Sequence, residues 1–203
     1  MKENYSNKCE EMLKSFTERK KLLLHSCCGP CSSYVISYLS NFFDMTILYY
    51  NPNIAPYEEY LKRKEEQIKV ISELNRDLNA NITILDCDYD NNLYNKLIKG
   101  LENEPERGSR CKICYRMRME KTASEARDND NDYDYFCTTL SVSPYKNVNW
   151  INEIGEELAK KYDVKWLYSD FKKKDGYKKS IELSKKYNLY RQDYCGCIYS
   201  RPK

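Results

Sequence analysis

The 203-residue sequence contains a single histidine, His25. A site with two histidine ligands is therefore excluded within one chain, and a hydrolase with a Ser–His or Cys–His pair would have to use that residue. Long apolar runs are also missing. No stretch of about 18 apolar residues exists to span a membrane. The opening MKENYSNKCEEMLKSF is charged throughout and lacks the apolar core of a secretory signal. The expected setting is cytoplasmic, with no membrane partner. Net charge is small, at +3. That balance allows a polyanionic partner, but only a local basic patch could grip it. Internal repeats are absent.

What the chain does have is thiols. Ten cysteines are too many to be incidental in a compartment that keeps them reduced, where a structural disulfide framework is not expected. Seven lie at short spacings: Cys27, Cys28 and Cys31; Cys111 and Cys114; Cys195 and Cys197. Such clusters in a cytosolic chain point to metal ligation or redox chemistry. Cys87 and Cys137 stand alone and read as small core hydrophobes. Cys9 is assigned no role.

Apolar runs and helical patterns alternate. Strands are expected at 21–27, 44–52, 81–89, 135–142 and 164–171. Helices are expected from Pro30 onward, over 56–79, 90–101, 111–127, 148–161 and 175–188. The 56–79 helix shows an apolar stripe of Tyr57, Leu61, Ile68, Ile71, Leu74 and Leu78. RDNDNDYD (127–134) reads as a polar surface loop, and 102–118 as a local cysteine-bearing insertion. The alternation predicts an α/β, doubly wound, mostly parallel sheet. The expected organisation is a helical extension over 1–20 and one catalytic domain over 21–203. In such sheets ligands bind beyond the carboxyl ends of the strands. Cys27, Asn51–Asn53, Ser141–Lys146 and Asp170–Lys172 would meet there, forming a cysteine-rich metal site. The turn at Cys27–Cys31 has one glycine and three thiols, so it lacks a phosphate cradle and does not favour ATP.

Each cysteine group admits more than one reading. CGPC at 28–31, after a strand and at a helix start, fits thioredoxin-type exchange through Cys28 and Cys31. Cys27 directly before it does not. RCKICYRMR (110–118) carries a metal half-site spacing. YCGC (194–197) suits either ligation or a dithiol cycling to an easily reduced disulfide. Together they exceed the four ligands of a zinc site. An iron–sulfur cluster with a redox pair accounts for nearly all of them. His25 is open between a satisfied core residue and a catalytic one. A basic rim is expected from Arg110, Arg116, Lys146 and the run from Lys172 to Lys174, interleaved with Tyr145, Tyr177, Tyr190 and Tyr194. Such a rim suits phosphates and unpaired bases.

HSCCGPCSS (25–33), YNPNIAPYEEYLKR (50–63), RCKICYRMR (110–118), TTLSVSPYKN (138–147), DFKKKDGYKKS (170–180) and LYRQDYCGC (189–197) follow one another in order. In these the chain resembles the epoxyqueuosine reductase QueH family, from about Lys21 to Ser200. The resemblance implies a Rossmann-like, HUP/PP-loop-like fold. It implies removal of the epoxide oxygen of epoxyqueuosine at a tRNA anticodon wobble position, leaving queuosine. The reaction takes two electrons and two protons, releases water, and needs an electron donor. It further implies a 4Fe–4S cluster on Cys27, Cys28, Cys111 and Cys114. Cys195 and Cys197 would be a redox-active pair or help hold an additional iron, with Cys31 as a further ligand or a spare thiol. Asp193, Tyr194 or Asp170 would supply a proton, and Arg110, Arg116, Lys146, Lys172, Lys173 and Arg191 would contact tRNA. The competing readings are a zinc-containing RNA-binding protein with an all-cysteine site and a thioredoxin-like thiol–disulfide oxidoreductase.

Overall fold

The computed structural model describes residues 3–128 and 132–201; the middle of the polar loop expected at 127–134 lies outside the described residues. Five strands, β1 (Lys20–His25), β2 (Phe43–Tyr49), β3 (Thr83–Asp86), β4 (Tyr135–Thr138) and β5 (Lys165–Trp166), form one sheet in the order β3-β2-β1-β4-β5. Every pairing is parallel, with Leu24 opposite Ile47 on one side and Cys137 on the other. Leu22 to His25 and all of β4 are buried. A continuous apolar run such as KLLL is what a central parallel strand requires when both faces are covered.

Among the described residues seven α-helices do the covering: α1 (Tyr5–Lys14), α2 (Gly29–Leu39), α3 (Tyr57–Leu78), α4 (Asn91–Leu97), α5 (Ser109–Arg127), α6 (Val148–Tyr162) and α7 (Gly176–Lys186). They fall into two packed sets, α3–α2–α7 and α4–α5–α6. Helix α1 contributes Cys9 and Leu13 to the main core. None of these helices is long and apolar enough to cross a membrane.

Four sequence expectations need correction. Strand β4 stops at Thr138, where the Thr138 hydroxyl accepts the Leu140 N–H and starts a 3-10 turn over Thr139–Val142. Strand β5 is two residues long, not eight. Beyond it the chain bonds side chains: Ser169 N–H donates to Asn152 Oδ1 and Phe171 N–H to Ser141 Oγ. The stripe assigned to α3 is rotated. Tyr57, Leu61, Ile68 and Leu78 are exposed, and the buried face is Tyr60, Arg63, Gln67, Val70, Ile71 and Leu74. The stretch read as an insertion runs straight into α5, which packs on α6, β4 and β1.

The chain turns one way from β1, through α2 to β2, while β4 pairs on the other side. The gap between the carboxyl ends of β1 and β4 is the place where such sheets bind ligands.

Candidate functional site

At that gap β1 runs into Ser26 and Cys27, and α2 begins. The turn is pinned from beneath. Asn51 Nδ2 donates to the Ser26 carbonyl at 2.8 Å, and the hydroxyls of Ser26 and Ser32 both donate to Gln67 Oε1. Cys28 caps α2 in an extended conformation, and Gly29 seats the helix against α3. The result brings the sulfurs of Cys27, Cys28 and Cys31 within 4.8 Å of one another, a group able to hold a metal ion. The three thiols share protons unequally. Donation from Cys28, then from Cys31, holds Cys27 well below the usual thiol range, while those two are pushed above it. Gln192 Nε2 donates to Cys28 Sγ at 3.0 Å, and the Thr139 hydroxyl lies 3.6 Å from Cys27 Sγ.

The second group sits on α5. Cys111, Cys114 and Arg118, at spacings of three and four, occupy one helix face and are all buried. Burial pushes Cys114 up to about 12 and Cys111 upward as well. Burial works against the Arg118 guanidinium, but the thiols of Cys114, Cys195 and Cys27 outweigh it and hold its charge firmly. Arg118 Nε donates to the Cys114 carbonyl; its buried Nη2 has no partner among the described residues.

The third group is divided by Gly196, whose φ of +132° is a glycine conformation. Cys195 faces the gap and Cys197 is buried, 3.5 Å from Ser200 Oγ. Lys146 Nζ donates to Cys195 Sγ at 2.8 Å and lies 3.4 Å from Glu106. Burial opposes the Lys146 charge, yet Cys195 and Tyr115 outweigh it and keep the ammonium well above the usual lysine range.

These groups border a cavity of about 340 Å³. Of the residues singled out from sequence, Cys27, Cys31, Lys146, Arg191, Asp193 and Cys195 line it, with Tyr145, Tyr177 and Tyr194. Cys28, Cys111, Cys114 and Cys197 are buried and lie outside that lining. Several expected tRNA contacts lie elsewhere. Arg110 is buried, and its Nη1 donates to the carbonyls of Leu101, Glu102 and Glu104, so it closes a loop instead of facing a phosphate. Arg116 pairs with Glu157 across α5 and α6. Lys172 pairs with Asp170, and Lys173 borders a small separate hollow with Cys9 and Tyr38. Asp170 lines that same hollow and not the cavity. Tyr194 donates its hydroxyl to the Ala55 carbonyl at 2.9 Å.

His25 is fully buried and satisfied: Nδ1 lies 2.8 Å from Thr138 Oγ1 and Nε2 3.2 Å from the Tyr50 carbonyl. Burial, then the nearby Arg118 charge, lowers it to about 3, so it stays neutral. Cys137 is buried in the core as expected, whereas Cys87 is only half-buried. Sequence reasoning missed Arg118, Gln192 and Glu106. Arg118 was findable, since a position four after Cys114 shares its helix face. Gln192 and Glu106 carry no such signal.

A family model described as epoxyqueuosine reductase QueH matches residues 22–203. An epoxyqueuosine reductase QueH of Streptococcus pyogenes serotype M1 is 41% identical over 200 residues, covering 97% of this chain and 78% of that protein. The Staphylococcus epidermidis protein of the same name is 43% identical over 188 residues, covering 92% and 78%. The one from Thermotoga maritima is 35% identical over 179 residues, covering 88% and 89%. Matched along nearly its whole length, including all three cysteine groups, the chain belongs to the epoxyqueuosine reductase QueH family.

Proposed function

We propose that this chain reduces the epoxide of epoxyqueuosine in the wobble position of a tRNA anticodon to queuosine, using a 4Fe–4S cluster bound by its thiols. The observation that carries the reading is one buried cation, Arg118, that shares a cavity lining with Cys27, Cys31 and Cys195 and a helix face with Cys111 and Cys114. Its buried Nη2 has no partner among the described residues. An orphaned buried guanidinium N–H costs about 1–3 kcal/mol or more. A thiolate-bound centre of net negative charge beside it would remove that cost. The donor set therefore fits the group. Cys27, Cys28, Cys111 and Cys114 would hold the cluster, as the family resemblance implies. Cys31, within 4.8 Å of Cys27 and Cys28, offers a further sulfur for an additional iron. When bound, such a cluster supplies electrons one at a time.

The remaining parts are the chain's own. A cavity of about 340 Å³ is at the lower end of small-molecule sites, so it takes a single unstacked nucleoside and no duplex. Tyr145, 60% exposed, offers a ring for stacking at this site, and Arg191 offers a cation for a phosphate. Reduction of the epoxide breaks both of its C–O bonds, consumes two electrons and two protons, and releases water. Asp193 lines the cavity and would hold one of those protons, while the other two candidate donors have their polar groups engaged elsewhere. Cys195, in contact with Lys146, is the thiol at the reacting position, with Cys197 behind it as its redox partner. The electrons come from a donor outside the chain.

The test is anaerobic purification followed by measurement of iron, sulfide and zinc with the visible spectrum. The reading expects a brown protein with about four irons and four sulfides per chain, as one cubane cluster requires. A colourless protein that stays empty after iron–sulfur reconstitution overturns it.

A further inference from the structure

The motif YNPNIAPYEEYLKR contains no cysteine, and apart from Asn51, which pins the turn at Ser26, the site described above makes no use of it. Its last residue, Arg63, is only 1% exposed, a rare place for a guanidinium. Arg63 Nε donates to Glu59 Oε1 at 2.7 Å. The other two nitrogens reach across 132 residues of sequence. Nη1 donates to the Cys195 carbonyl at 3.1 Å and Nη2 to the Tyr194 carbonyl at 3.3 Å. The Tyr194 ring lies 4.8 Å from the same guanidinium. Two further bonds close the joint: Ala55 N–H donates to the Gly196 carbonyl at 3.0 Å, and the Tyr194 hydroxyl returns to the Ala55 carbonyl. A Cβ at Gly196 would meet Ile54 Cγ1 at 2.9 Å, so the loop lies hard against this surface. Tyr190 adds a hydroxyl bond to Glu59 and a backbone bond to Glu66.

We infer that Arg63 is the positioning residue of the reaction: its buried fork holds the backbone on either side of the Tyr194–Cys195 peptide and so fixes where the Cys195 thiol stands in the cavity. A guanidinium suits the task because it presents N–H groups in a rigid plane, one set to Glu59 and one to the two carbonyls. An ammonium has no such fork. The inference rests on the reading of Cys195 as the reacting thiol. It also gives α3 its role: the face that carries Arg63 and Gln67 supports the YCGC loop at one end and the CGPC turn at the other.

The experiment compares full-length Arg63→Lys, Arg63→Met and Glu59→Gln, each loaded with iron, by hydrogen exchange and by steady-state kinetics on tRNA carrying the epoxide. In Arg63→Met the amides of residues 190–198 should exchange at least about tenfold faster, while β1 and β2 keep their protection. Iron content should be unchanged, kcat should fall at least about tenfold, and KM should stay within about twofold. Arg63→Lys should lie between Met and wild type. Wild-type loop exchange and kcat in Arg63→Met overturn the inference, and so does protection lost equally throughout the sheet. If Arg63→Met does not fold, Glu59→Gln decides: a loosened loop with lowered kcat supports the inference, and neither overturns it. Cys195→Ser is assayed alongside. Full activity there sinks the reading of Cys195, while loop exchange in the Arg63 variants still decides what Arg63 holds.

Discussion

On the cluster reading proposed above, adding one methyl group at Gly29 should weaken metal binding at the thiols while leaving the fold in place. A Cβ there would stand 2.7 Å from the Glu66 carbonyl oxygen and 3.0 Å from its carbon, about 0.7 Å inside the 3.4 Å at which ordinary contact begins. Glu66 lies in the middle of α3, where the backbone is held by its own ladder, so the start of α2 must give way. Cys28 and Cys31 ride on that start; Cys27 ends the strand turn and stays beside Thr139. The sulfurs would then part by a large fraction of 0.7 Å, whereas metal–ligand distances tolerate about 0.2 Å. Overpacking costs about 1–3 kcal/mol, offset by up to about 1 kcal/mol of helix propensity. At about 2–4 °C per kcal/mol for a chain of this size, Tm should fall by no more than about 12 °C. Iron and sulfide per chain after reconstitution, with a thermal melt, test this. Iron should drop below about half of wild type. Gly100→Ala is the control: φ is +86° but nothing lies within 4 Å of the added carbon, so it should cost stability and no iron. Wild-type iron in Gly29→Ala would refute the claim that the α2–α3 contact sets the sulfur positions.

Cys111→Ala should lose the visible absorbance and bound iron at near-wild-type far-UV dichroism; retained iron would remove Cys111 from the ligand set. Arg118→Gln should lower the Tm of the iron-loaded form more than that of the metal-free form, because the bound centre is the partner that the buried Nη2 otherwise lacks. A larger loss in the metal-free form would contradict the role given to Arg118. Arg191→Ala should weaken tRNA binding and reduce the salt slope by about 0.7, the value for one phosphate contact on a single strand. Arg110→Ala should instead lower Tm without changing that slope, and titrations at several salt concentrations separate the two. Burial pushes the Cys9 thiol up to about 12. A raised native value means that stability present below the unfolded thiol value of about 8.5 is lost as pH climbs toward 12, by about 1.4 kcal/mol per unit. Urea melts from pH 8 to 11 should show a shallower decline in Cys9→Ala, and an unchanged slope would count against that burial.

Central strands were legible because burial on both faces leaves an unbroken apolar run, as in KLLL before His25. Helix α3 was legible as a helix and misread as a surface. Its letters favour Tyr57, Leu61 and Ile68, but the buried face holds Arg63 and Gln67. Periodicity assumes that the core takes apolar residues, and it fails where the buried face serves a polar site. The arginines of RCKICYRMR show the same limit. Arg110, Arg116 and Arg118 look alike in sequence, and only helical phase relative to Cys111 and Cys114 separates the one that lines the cavity. Strand β5 could not be bounded from its letters, since Ser169 and Phe171 leave the ladder for side chains of Asn152 and Ser141. The seven clustered thiols announced a centre; their grouping depends on long-range closure that no local spacing encodes.

The bond from Gln192 to Cys28 joins residues 164 positions apart, and the fork of Arg63 spans 132. Contacts of such separation form late, because the entropy of closing so long a loop is lost before the contact returns anything. A chain stalled partway through folding therefore already carries its thiols, but without the pocket that organises them. If the thiols take iron as proposed, that uptake would wait for the chain to close, and a pulse of metal during refolding should be incorporated no faster than the slowest docking of the 190–197 loop.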